Sequence, residues 1–93
     1  MTLHQLKIWV AVAKHLGITK AAKELRIRQP SVTQQIKLLE KEYRVKLYNV
    51  NRRGVELTPA GRLFLKYAKR TLSQVDNLKR DVRRSIRRRL RLG

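Results

Sequence analysis

The stretch Gln29-Pro30-Ser31-Val32-Thr33-Gln34-Gln35-Ile36-Lys37-Leu38-Leu39-Glu40-Lys41 constrains this chain more than any other. Pro30 stands where a first helical turn tolerates its missing N–H. Val32, Ile36, Leu39 and Tyr43 then recur at three- and four-residue steps, the period of a helix face turned to a core. The opposite face carries Ser31, Thr33, Gln34, Lys37 and Lys41. Hydroxyls, amides and ammonium groups are what bond to base edges and phosphates. A shorter helical segment precedes this one across a tight turn, and that pairing presents a second helix to the major groove of DNA. The bland alternative for the polar face is a solvated helix surface.

Charge narrows the class of partner. The 93 residues hold 24 Lys and Arg against 6 acids, a formal net charge of +18. Such a chain repels itself, so a polyanion is the expected partner, nucleic acid ahead of an acidic membrane surface. Phosphate neutralisation alone carries no sequence information. One domain this small has a marginal core, which a second copy would enlarge. The chain has no cysteine, which removes disulfides and thiolate metal sites and fits a reducing compartment. No apolar run approaches the roughly 20 residues of a membrane span, and no signal-peptide pattern opens the chain. A cytoplasmic, nucleoid-associated location is expected.

The flanking elements follow from local chemistry. Thr2 and Gln5 form a capping box. The helix they open carries Leu6, Trp9, Val10 and Ala13 on one face and Ile8, Val12 and Leu16 on the next, with Gly17 as its stop. Thr19 is the expected cap of a short helix to about Leu25, whose Ala21 and Ala22 allow close approach. Arg26-Ile27-Arg28 makes the turn, with Ile27 pointing inward. Val45, Leu47 and Tyr48 alternate with polar residues, as do Val55 and Leu57, and Asn51-Arg52-Arg53-Gly54 between them reads as a hairpin tip. Thr58-Pro59 starts a last helix. If helical to Leu90 it is about 48 Å long, against a preceding body about 25 Å across. An apolar stripe on an overhanging helix needs a partner, most simply another copy.

The expected fold is therefore mainly α: a winged helix-turn-helix of three helices and a two-stranded β-hairpin wing, then a long linker helix. Residues 1–58 form the DNA-binding domain, 59–90 the linker and dimerisation helix, and 91–93 a basic tail end.

From Met1 to about Val82 the chain resembles the N-terminal DNA-binding region of LysR-type transcriptional regulators. The resemblance rests on the joint spacing of Leu6, Trp9, Val12 and Ala13; Ala21-Ala22-Lys23-Glu24-Leu25; Gln29-Pro30, Val32, Gln35-Ile36 and Leu39-Glu40; Leu47-Tyr48 and Gly54-Val55; and Leu57-Thr58-Pro59-Ala60-Gly61. It implies sequence-specific binding of double-stranded DNA as a homodimer on an interrupted palindrome. The linker helix would pair with its twofold mate, antiparallel. It also implies a C-terminal effector domain of two α/β lobes that binds a small-molecule inducer. That domain is absent from these 93 residues, which fits an excised piece or a naturally short relative alike. Arg28 stands where the family usually has a capping serine, Arg44 where it commonly has glycine, and Val50 where arginine is frequent.

Candidate DNA-binding residues are Gln29, Pro30, Ser31, Thr33, Gln34 and Lys37 on the recognition helix, Lys20 before it, and Arg52 and Arg53 at the wing tip. Gln pairs bidentately with adenine, while Thr offers a hydroxyl and a methyl. Tip arginines suit phosphate or a narrow minor groove, or else serve as edge charges against aggregation. Phe64, Ala68, Val75, Leu78 and Val82 are the candidate dimer interface. The Arg84–Arg91 region reads as added DNA affinity, attraction to acidic lipid or a solvated helix end. The alternative function is accordingly non-specific binding of nucleic acid or an acidic membrane through that basic helix.

Catalysis has no support. The acids Glu24, Glu40, Glu42, Glu56, Asp76 and Asp81 form no recognisable catalytic group, and there is no Gly-rich phosphate loop, nucleophile elbow or metal-ligand cluster. His4 and His15 lie about 16 Å apart on one helix and cannot share a metal. Trp9 is a core residue by its spacing. No enzyme activity and no cofactor are expected of this chain.

Overall fold

The computed structural model describes residues 1–92; Gly93 and the side chains of Arg91 and Leu92 lie outside the described part, and with them most of the expected tail end. The order is α1 (Leu3–His15), α2 (Ile18–Leu25), α3 (Gln29–Tyr43), β1 (Tyr48–Asn51), β2 (Gly54–Leu57) and α4 (Pro59–Leu92). This is the winged helix-turn-helix with a long C-terminal helix that the sequence predicts.

Thr2 and Gln5 make both bonds of the capping box at the start of α1. Ile8, Trp9 and Val12 of α1, Ala21 and Ala22 of α2, Val32, Ile36 and Leu39 of α3, and Leu47 and Val55 close one core. Ile27 packs against it from the turn, as expected. The two alanines keep α2 within reach of both neighbours, since larger side chains there would push the helices apart.

Local signals misplace two boundaries. Leu16, not Gly17, takes the left-handed conformation that ends α1, at φ 48°. Gly17 is extended and precedes α2 as its cap residue, so Thr19 lies inside the helix. The reason is tertiary: the Leu16 carbonyl accepts the Val55 N–H of the wing at 3.1 Å, which fixes the peptide where the chain reverses. The second boundary is the start of the hairpin. Strand pairing begins at Tyr48, in the register Tyr48↔Leu57 through Asn51↔Gly54, and not at Val45. Leu47 has other partners: its N–H donates to the Glu40 carboxylate at 2.7 Å and its carbonyl accepts from Thr58 N–H at 3.0 Å. Burial, with the Glu40 charge second, holds the nearby Tyr48 hydroxyl above its usual pKa.

Tyr43 is expected on the buried face of α3 yet is 44% exposed. It stands in the last turn, beyond the core, and its ring lies 5.8 Å from that of Phe64. The N-terminal ammonium is fixed beside it by Glu42 at 2.8 Å.

The α4 helix starts as expected, with the Thr58 hydroxyl accepting Gly61 N–H at 2.9 Å. It runs two residues past Leu90. The chain measures 60 × 25 × 19 Å, so most of its length is this overhang.

Candidate nucleic-acid interface

Outward from the core, α3 presents one continuous polar surface. Gln29, Pro30, Thr33, Gln34, Lys37, Leu38 and Lys41 line a shallow hollow of about 580 Å³. Five of these, Leu38 aside, are hydrogen-bonding or cationic side chains, and Pro30 sets the first turn. Ser31 is exposed in that same turn but does not line the hollow. Lys41 lines it as its place on the polar face predicts, and Leu38 is the one addition, because an apolar residue on the polar side carries no helical signal of its own.

Two bonds fix the start of the recognition helix. The Gln29 side-chain amide donates to the Thr19 hydroxyl of α2 at 2.9 Å, and the Thr33 hydroxyl donates to the Gln29 carbonyl at 3.3 Å. Gln29 thereby keeps one amide N–H and its side-chain oxygen for an outside partner. Lys20 follows Thr19 and stands exposed at the α2 end of that bond. Arg28 precedes α3 with extended backbone and makes no side-chain capping bond.

The electrostatics of the face follow from where the acids point. Glu40 turns to the Leu47 N–H and Glu42 to the N-terminus. Glu24 of α2 accepts from Lys14 at 2.7 Å and lies 3.3 Å from His15 Nε2. The Lys14 hydrogen bond, then that of His15, holds its carboxyl below the usual range. Every acid on α2 and α3 is thus occupied away from the polar hollow, which is left to Lys37 and Lys41.

Arg52 and Arg53 are the two residues between the strands, both exposed. Asn51 organises them: its side-chain oxygen accepts Arg53 N–H at 2.9 Å, and its amide donates to Glu56 across the hairpin at 3.1 Å. An Asn at a tip is a known turn former, the signal that identifies it. Gly54 takes φ +117°, and a Cβ there would lie 2.9 Å from the Leu16 carbonyl. Arg62, from the first turns of α4, lines the same surface hollow as Arg52 and Arg53. Val50 is 71% exposed on β1, an apolar side chain on the open face of the wing.

The candidate dimer residues divide into two sets. Ala68 is 1% exposed and Phe64 is half-buried against the core, so both face inward within the chain. Val75 is partly covered, while Leu78 and Val82 are exposed, with Ile86 and Leu90 beyond them. Beside the inward pair, Leu63 and Tyr67 are open. They border an apolar hollow of about 390 Å³ with Met1, Leu6, Tyr43 and Val45. The free stripe is therefore rotated by part of a turn from the one the spacing picks out. Among the described residues no group of three His, Cys, Asp or Glu could hold a metal, and no helix is long and apolar enough to cross a membrane.

This arrangement defines a winged helix-turn-helix DNA-binding domain. Residues 3–62 match the bacterial regulatory helix-turn-helix protein model of the lysR family, and the chain belongs to that family. It is 44% identical over 84 residues to a probable cat1 operon transcriptional activator of Acinetobacter lwoffii, covering 90% of this chain and 28% of that protein. Two solved structures superpose closely. A complex of the BenM DBD with catB site 1 DNA gives a TM-score of 0.87 at 39% identity, covering 90% of this chain and 94% of that one. A complex of the CbnR DBD with DNA gives 0.86 at 38%, covering 91% and 98%. The chain thus spans less than a third of the length of the cat1 relative and nearly all of the two DNA-binding domains.

Proposed function

We propose that this domain binds double-stranded DNA sequence-specifically, as a homodimer on an interrupted palindrome, to regulate transcription in the bacterial cytoplasm. The observation that carries this reading is the acid-free polar face of α3, with Gln34 exposed and Gln29 braced by Thr19. Gln34 and Thr33 read base edges, Gln29 sets the register, and Lys20 and Lys37 neutralise phosphate. Arg52 and Arg53 add sequence-independent affinity from the wing. The domain parts at 58/59, with α4 as the pairing helix. Its free stripe, centred on Leu78 and Val82 and extended by Leu63 and Tyr67, meets the same stripe of a mate. Full-length relatives that carry an effector domain would add response to a small inducer.

Selection of sites from random duplexes tests this reading, followed by sedimentation of the complex on the selected sequence. The expected result is a palindrome with half-sites about one helical turn apart, or a multiple, bound by two chains. Enrichment of no sequence, or one chain per palindrome, refutes it.

A further inference from the structure

The face of α4 opposite its apolar stripe is basic along most of the helix. Arg62, Lys66, Lys69, Arg80, Arg84 and Arg87 follow one another at helical three- and four-residue steps, bridged by Ser73 and Asn77, and all six basic residues are exposed. The acids nearby are few: Asp76 flanks the face, and Asp81 lies 3.7 Å from Arg80, which also donates to Asn77. Among the described residues no carboxylate pairs with Arg84 or Arg87. Beyond Arg80 every described side chain is exposed, and like charges stand three and four residues apart at Arg80, Arg84 and Arg87, of which only Arg80 has a carboxylate beside it among the described residues.

The lower end of this face reaches the wing, because Arg62 lines the same hollow as Arg52 and Arg53. A strand of phosphates that meets the wing tip therefore meets the start of the α4 face. We infer that this face is a second phosphate-binding surface, which engages duplex DNA outside the base pairs read by α3. The inference rests on the proposed DNA binding only for where the duplex enters. Arginine suits the task, since its planar fork bonds phosphate oxygens bidentately. A lipid surface fits less well. Membrane-bound amphipathic helices bury their apolar face, whereas this basic face is continuous with the wing hollow of Arg52, Arg53 and Arg62, and the apolar stripe is taken by the proposed mate.

The test is the triple variant Arg80→Gln/Arg84→Gln/Arg87→Gln, which keeps good helix formers and removes three charges. Binding is measured over a range of salt on duplexes of about 40 base pairs, selected and scrambled, and on one of about 12 covering a half-site; each lost phosphate contact lowers the slope of log K against log salt by about 0.9. On the long duplexes the slope falls by about 1 to 3 and affinity by about tenfold or more, equally for both sequences. On the short duplex nothing changes. An unchanged slope on long DNA overturns the inference, as does an equal loss on the short duplex. Anionic phosphatidylglycerol vesicles that retain the unmodified chain and not the variant, with DNA binding unaffected, also overturn it and assign the face to lipid. Failure of the proposed function reads differently: the unmodified chain would then bind selected and scrambled DNA alike, whatever the slopes.

Discussion

The indole N–H of Trp9 donates a 3.1 Å hydrogen bond to the carbonyl of Gly61, tying the centre of α1 to the first turn of α4. The approach needs glycine. A Cβ at position 61 would lie 2.0 Å from the Leu47 carbonyl oxygen and 3.0 Å from Trp9 Cζ2. Gly61→Ala is therefore expected to destabilise the fold by about 2–4 kcal/mol, as backbone must shift. Trp9→Phe, which loses the hydrogen bond and some volume, is expected to cost about 1–3 kcal/mol. Urea denaturation checks both; a Gly61→Ala domain as stable as the parent contradicts the packing described.

Arg44 ends α3 in the left-handed conformation, at φ 52°. A side chain there costs about 1 kcal/mol relative to glycine. Arg44→Gly is expected to raise stability by about 0.5–1 kcal/mol, the larger flexibility of unfolded glycine offsetting part of the gain. Thermal unfolding measures it, and a fall in midpoint temperature would show that Arg44 earns its place by some other contact.

Legibility from the sequence depended on whether the governing contact was local. Thr2 with Gln5, Pro30 and Thr58-Pro59 announce their helices because capping is settled within one turn. Leu16 and Leu47 misled because their backbone groups are claimed by residues distant in sequence, Val55 in one case and Glu40 and Thr58 in the other. The reading face was legible because helical period separates Val32 and Ile36 from Gln34 and Lys37. Period does not say which of two adjacent apolar stripes meets the chain's own core. Phe64 and Ala68 share a stripe with Leu78 by period and pack on the chain's own core, as Ile8 and Val12 on α1 invite, while the open Leu63 and Tyr67 stand on the neighbouring stripe, which period does not single out.

At the wing tip, Arg53→Ala is expected to weaken binding to all sequences and to lower the salt slope by about 1. A loss confined to A·T-rich flanks would move the contact into a narrow minor groove. No change in either quantity would place Arg53 off the DNA.

Leu78 is 62% exposed on the free stripe of α4. Leu78→Asp sets a charge in the expected seam, so monomers that bind half-sites weakly are expected in sedimentation. Self-association of the unmodified chain is expected to strengthen with salt, because screening relieves the repulsion of two copies at +18 each. DNA affinity should fall over the same range. A chain that stays monomeric at high salt and on a full palindrome contradicts pairing through α4.

Sequence-specific reading by α3 is tested most directly by the affinity of the selected palindrome against its scrambled counterpart at one fixed salt, with Gln34→Ala beside the unmodified domain. The unmodified domain is expected to favour the palindrome by about a thousandfold or more. Gln34→Ala should cost about 1–3 kcal/mol per reading contact on the palindrome and little on the scrambled duplex. Equal affinity for the two duplexes, or an equal loss on both, would contradict base reading by this helix.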